Sequence, residues 1–244
     1  MICIARPAAA PAALTTAVVQ AYISACAART ADPALPKPEP PVAYRTSDLL
    51  DVFDTFFRAK CYLTEQKFES AWAMDVDHFE PANENPARVY DWSNLFPAAH
   101  TANMMRPRRL PAGGLLDPCV DDVENEILYS LEAFGEAPGF KARDAADPRA
   151  CNTAALLHLL HNGQPGHAAS HQRTAELRRD IERRYKTVKD AWETYRDAVE
   201  DDDPHAVAAA ETLLQRLLSR NASFTMLLRS LPFVRKRVPP HLLD

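Results

Sequence analysis

Between residues 173 and 200 the side chains of Leu177, Ile181, Tyr185, Val188, Trp192, Tyr195 and Val199 recur at spacings of 4, 4, 3, 4, 3 and 4. Only an α-helix brings such a repeat onto one face. A helix of this length must lay its seam on apolar surface, so the C-terminal part of the chain is committed to helix-on-helix packing. The acidic turn Glu200 to Asp203 and Pro204 precede a further helix carrying Leu213, Leu214, Leu217 and Leu218. Because the seam is short, an intramolecular helical hairpin is the expected arrangement, with an intermolecular coiled coil as the alternative.

Upstream, Leu14, Val18, Tyr22 and Cys26 recur every four residues, which predicts an amphipathic helix over residues 12 to 28. Residues 33 to 41 hold five prolines in nine positions and must be extended, a spacer. A helix tethered beyond such a spacer has an apolar stripe to bury, and docking on a partner is the expected use. Ser47 then caps a helix with a stripe of Leu49, Leu50, Val52, Phe53, Phe56 and Phe57. Residues 60 to 112 carry four prolines before Leu110, scattered Asn and short apolar runs, which read as short strands and loops. After Pro118, Asp121 or Asp122 can cap a helix through Val123, Ile127, Leu128 and Leu131, ended by Gly135, Pro138 and Gly139. The expected division is 1–41 for the N-terminal helix and spacer, 42–135 for the core with its flanking helices, and 136–244 for a helical C-terminal bundle. The fold class is mainly α.

Composition removes several functions. Of 244 residues only six are Gly, and none lies in a Gly-x-Gly-x-x-Gly or Gly-x-x-x-x-Gly-Lys pattern, so any nucleotide chemistry must come from a partner. The five cysteines (Cys3, Cys26, Cys61, Cys119, Cys151) are scattered without a Cys-x-x-Cys pair, which suits a reducing cytoplasm. Arg6, Pro7 and Pro11 interrupt the apolar start, which argues against a secretory leader. The net charge of -5 gives no whole-molecule attraction for nucleic acid, but Arg106, Arg108 and Arg109 cluster, and Arg229, Arg235, Lys236 and Arg237 crowd a tail free of acids between Glu211 and Asp244. Such local clusters bind phosphates whatever the net charge. No base-reading pattern is legible, so backbone-dominated, weakly specific binding is expected.

The stretch that carries chemistry is Asp75-Val-Asp-His-Phe-Glu-Pro81, followed by Tyr90-Asp-Trp-Ser-Asn-Leu95 and Ala98-Ala-His-Thr-Ala-Asn103. Phosphodiester hydrolysis needs a base to activate water and a divalent cation to neutralise developing charge, and hard cations prefer oxygen ligands. His78 supplies an imidazole that titrates near neutrality; Asp77 and Asn103 supply oxygens. Adjacent strand residues point to opposite faces, so Asp77 and His78 can share a site only at a strand end or turn.

These residues resemble the HNH, or ββα-metal, nucleases, in which an Asp-His pair ends the first strand, a central Asn lies at the hairpin and a His or Asn on the next helix binds metal. The resemblance implies a small ββα-metal core, with His78 as general base, Asp77 and Asn103 as ligands of Mg2+ or Mn2+, and Asn94 fixing the loop that holds His78. His100, one turn before Asn103, is a possible assistant or a plain surface residue. Many members add a structural zinc on two Cys-x-x-Cys pairs. Here Cys61-Tyr-Leu-Thr64 keeps one Cys, and Ala99 and Ala102 stand at the second pair, so no structural zinc is expected and Trp72, Phe79, Trp92, Leu95 and Phe96 are expected to hold the hairpin by packing. The flanking Gly114-Leu-Leu-Asp-Pro-Cys119, Asp121-Asp-Val-Glu124 and the tail from Ser219 to Ser230 resemble the PtuB subunits of Septu-type and retron-associated antiphage systems. That likeness implies a DNA or RNA endonuclease partnered with a PtuA-like ATPase. The alternatives are a non-catalytic adaptor on the same ATPase and a standalone restriction-type nuclease.

Overall fold

The computed structural model describes residues 1–243 as a mainly helical chain with two small antiparallel hairpins. Among these residues no helix is long and apolar enough to cross a membrane.

Helix α1 (Ala17–Ala31) starts at Thr16, whose hydroxyl accepts from the Val19 amide at 3.4 Å. Leu14 falls in a separate 3-10 turn, and the buried stripe is Val19, Tyr22 and Cys26, with Val18 exposed. That stripe has its partner within the chain: the Tyr22 ring packs edge-on against Tyr90 with centroids 5.5 Å apart, and its hydroxyl donates to the Pro86 carbonyl at 3.3 Å. The expectation of an outside docking partner for this face is therefore corrected. The residues before α1 are also structural. Met1, Ile2 and Ile4 are buried, and Arg6 stacks on Trp92 and Phe96 at 4.4 and 4.3 Å while donating to the carbonyls of Trp92 and Leu95. Residues 1–10 thus brace the site hairpin; of the expected spacer, residues 33–35 form a turn closed by the Leu35 amide on the Asp32 carbonyl, and residues 36–41 have no regular structure and are largely exposed.

Helix α2 (Ser47–Phe56) is capped at Thr46 rather than Ser47, with Asp48 accepting from the amides of Ala13 and Leu49. It buries Leu49, Leu50 and Phe53, and Phe57 follows them into the core. Strands β1 (Asp75–His78) and β2 (Leu95–Ala98) pair in antiparallel register, Asp77 opposite Phe96 and His78 opposite Leu95, and helix α3 (His100–Met105) follows at once.

The helix expected through Leu131 is only one turn long, α4 (Val123–Glu126); strand β3 (Ile127–Ser130) takes over and pairs with β4 (Gly139–Ala142). Val123, Ile127 and Leu131 are four apart, a spacing compatible with periods of both 3.6 and 2. Ile127 and Tyr129 face inward while Leu128 stays exposed, which is the strand pattern. A division at residue 135 therefore cuts a hairpin, and β4 in turn packs on α5 (Pro148–Asn162). Short helix α6 (Ala168–Arg173) leads into α7 (Ala175–Glu200), which folds back on α8 (Pro204–Leu218) as the expected intramolecular hairpin. Asp203 caps α8 by accepting from the amides of His205 and Ala206. Of the seam, Leu177, Ile181 and Val188 are buried, Tyr185 and Trp192 meet Phe233, and Val199 is exposed. Short helices α9 (Thr225–Arg229) and α10 (Pro232–Arg237) close the chain.

A buried ionic knot joins these layers. Glu65 accepts from the Met1 ammonium at 2.9 Å, from Lys60 Nζ at 3.3 Å and from the Met226 amide at 3.4 Å, while Lys60 Nζ also donates to Thr225 Oγ1 at 3.1 Å. Burial by itself would raise the Glu65 carboxyl; the Met1 ammonium and Lys60 outweigh it and hold the group at about 2.

Candidate active site

The β1–β2 loop is fixed by one amide. Asn94 is fully buried; its Oδ1 accepts from the Glu80 amide at 2.6 Å and its Nδ2 donates to the carbonyls of Glu80 and Arg88 at 3.0 and 3.1 Å. Its carbonyl accepts from the Phe79 amide at 2.8 Å. The residues directly after His78 are thus pinned to the hairpin end, the supporting place that the sequence suggests for Asn94.

His78 closes β1 with its Nε2 3.0 Å from the Val89 carbonyl and its ring edge-on to Tyr44, centroids 4.9 Å apart. A carbonyl only accepts, so Nε2 carries the proton and the lone pair of the neutral ring is on Nδ1. Burial lowers the imidazole from its ordinary value, against the opposing pulls of the Val89 carbonyl and Asp77. The ring is therefore neutral near pH 7, the state a general base requires.

On the opposite face of β1, Asp75 and Asp77 lie about 7 Å apart along the strand. Helix α3 runs over them with His100, Asn103 and Arg106, three residues apart and on one side of the helix. Asp75 Oδ2 takes His100 Nδ1 and Asn103 Nδ2, both at 2.9 Å. Asp77 Oδ2 accepts from the Tyr62 hydroxyl and from Arg106 Nη1, both at 2.7 Å. Asn103 is thus brought to Asp75 rather than to Asp77, its expected co-ligand. Among the described residues the hydrogen bonds of Asp75 and Asp77 all run to their Oδ2 atoms and that of Asn103 runs from Nδ2, so Asp75 Oδ1, Asp77 Oδ1 and Asn103 Oδ1 are the oxygens that could hold a hard cation. Among the described residues there is no group of three His, Cys, Asp or Glu that could hold a metal ion.

The basic residues divide. Arg106, expected on phosphate, is buried: besides Asp77 it donates to the carbonyls of His78 and Phe79, and it locks the end of β1 to α3. Arg229 is turned inward as well, donating from Nε to the Leu218 carbonyl at 2.8 Å, where it caps α8. Arg108, Arg109, Arg235, Lys236 and Arg237 are exposed.

At the positions of the second cysteine pair, Ala99 and Ala102 are buried and line a crevice with Thr64, Leu160, Thr174 and Leu177; Cys61 is buried beside the Thr64 amide. Helices α5 and α7 thus pack where a clasp would lie. Trp92, Leu95 and Phe96 form the expected core, and Phe79 rests on Phe96 at 5.5 Å. Trp72 does not join it and stands in solvent.

Sequence reasoning missed Asp75, Tyr44 and Tyr62. Asp75 was legible as the i−2 neighbour of Asp77 on one strand face; the tyrosines reach the site across long stretches of chain and leave no local signal. Comparison of the chain with family models, with curated proteins and with solved structures gave no match.

Proposed function

We propose that the chain is a metal-dependent endonuclease of the HNH type. What supports this most directly is the ordered pair of faces on β1: a neutral, oriented His78 at the strand end, and two aspartates under Asn103 of α3 with one uncommitted oxygen each. Mg2+ or Mn2+, held by Asp75, Asp77 and Asn103, would supply the charge that a scissile phosphate and its leaving oxygen need. His78 lies on the face of β1 opposite the acids, so in this reading the scissile phosphate must sit across the open end of the strand, where His78 Nδ1 would take a proton from the attacking water while Val89 keeps Nε2–H in place. Asn94 holds the loop and Tyr44 the ring plane. Arg108 and Arg109, exposed just beyond α3, are the residues that would meet the phosphate backbone in this reading. A PtuA-like ATPase partner and an antiphage role belong to this proposal on sequence likeness alone.

One observation favours a second reading. The Arg106 guanidinium already neutralises Asp77 in a buried pair, and a site so compensated binds a cation less well, which suits a non-catalytic adaptor on the ATPase. Plasmid and RNA incubated with Mg2+ or Mn2+, with and without the product of the neighbouring gene, decide between the two. We expect nicking by the wild type that His78→Ala lowers by roughly 10²- to 10⁴-fold. Equal products from both proteins, or none from the wild type with its partner, would favour the adaptor.

A further inference from the structure

Trp72 is the largest apolar side chain left open among the described residues, 59% exposed. Its 3-10 turn, Ala71–Ala73, is held firmly: the Ala71 amide donates to Asp54 Oδ1 at 2.5 Å, the Trp72 amide to Ser70 Oγ at 3.2 Å, and Arg45 Nη2 to the Trp72 carbonyl. The Arg45 guanidinium carbon lies over one face of the ring, 6.0 Å from its centroid and at the outer limit of a cation–π contact, and the Trp72 side chain stays largely in solvent. Both segments that carry this pair run into the site. Trp72 precedes Asp75 by three residues, which keeps their Cα atoms within about 11 Å, and Tyr44, next to Arg45, touches His78.

We propose that Trp72 and Arg45 form a stacking subsite for one unpaired base of the substrate strand, with Arg45 also meeting the adjoining phosphate; this rests on the nuclease reading above. A rigid, exposed indole beside a cation matches the two parts of a nucleotide, a flat base and a negative phosphate. Bases in a duplex have their faces covered by their neighbours, whereas an unpaired base offers its face to an aromatic ring, so the subsite selects single-stranded or locally open nucleic acid.

The test is binding without cleavage. The full chain in EDTA is titrated at constant salt against fluorescein-labelled oligo(dT) and oligo(U) of about 15 nucleotides, and against a blunt-ended duplex of equal length, with anisotropy as the readout. Trp72→Ala should weaken single-strand binding by roughly 5- to 100-fold, Trp72→Phe should restore much of it, and the duplex affinity should not change. Wild-type affinity of Trp72→Ala for the single strands, or an equal loss on the duplex, would overturn the subsite and leave the nuclease reading standing. A wild-type chain that binds none of the three would overturn the subsite, and the nicking assay with metal and partner decides the nuclease reading separately.

Discussion

The buried Glu65 knot and the acids of β1 are built in opposite ways. Both oxygens of Glu65 are engaged, one by the Met1 ammonium and the other by Lys60 and the Met226 amide. Asp75 and Asp77 each direct one oxygen to α3 or Tyr62 and leave the other without a hydrogen bond. A fully satisfied network fixes structure, while a half-satisfied one in an otherwise ordered site retains capacity for a ligand. The difference is why we assign chemistry to the β1 acids and cohesion to Glu65, although Glu65 is the more deeply buried.

The sharpest way to break that contrast is Glu65→Gln. It leaves Lys60 buried without its counter-charge, and the loss should be about 3–5 kcal/mol in urea unfolding. A loss below about 1 kcal/mol, the scale of a surface ion pair, would make the knot dispensable and the comparison empty.

Acid should loosen the structural side of this comparison next, through Glu65 and a second buried group, His161. His161 is buried with its Nδ1 on the Leu157 carbonyl at 2.8 Å and its Nε2 unpaired, and burial lowers it to about 4 from the ordinary 6.5. The unfolded chain therefore binds a proton below pH 6.5 that the folded chain refuses. Stability is complete above 6.5 and declines as the pH falls to 4, by at most about 3 kcal/mol. Glu65 adds a second decline between 4.5 and about 2, where the unfolded carboxyl protonates first. Unfolding midpoints measured across this range should show both steps, and His161→Leu should remove only the upper one; an unchanged upper step would relieve His161 of that role.

How far the sequence reaches depends on whether the partner of a residue is near or far along the chain. The short strands around Asp77 and Leu95 and the α7–α8 hairpin were legible because their signals repeat locally, whereas the contact of Asn103 with Asp75 rather than Asp77 was not. Strand β3 was misread as helix because Val123, Ile127 and Leu131 satisfy two periods at once. The burial of Arg106 was invisible because an arginine at the end of a short helix looks the same whether it faces a phosphate or Asp77 29 residues upstream. The brace by Arg6 and the seat of α1 depend on contacts more than 60 residues away, and no spacing records those.

The measurement closest to the central claim is calorimetric titration of Mn2+ into the wild type and into Asp77→Asn, which keeps an acceptor for Tyr62 and Arg106 while removing the charge. One cation bound by the wild type and an affinity at least about tenfold lower in the variant is the predicted result. Equal affinity in the two proteins, or no binding by the wild type with or without substrate strand present, would contradict the assignment of the β1 acids to a metal-dependent nuclease.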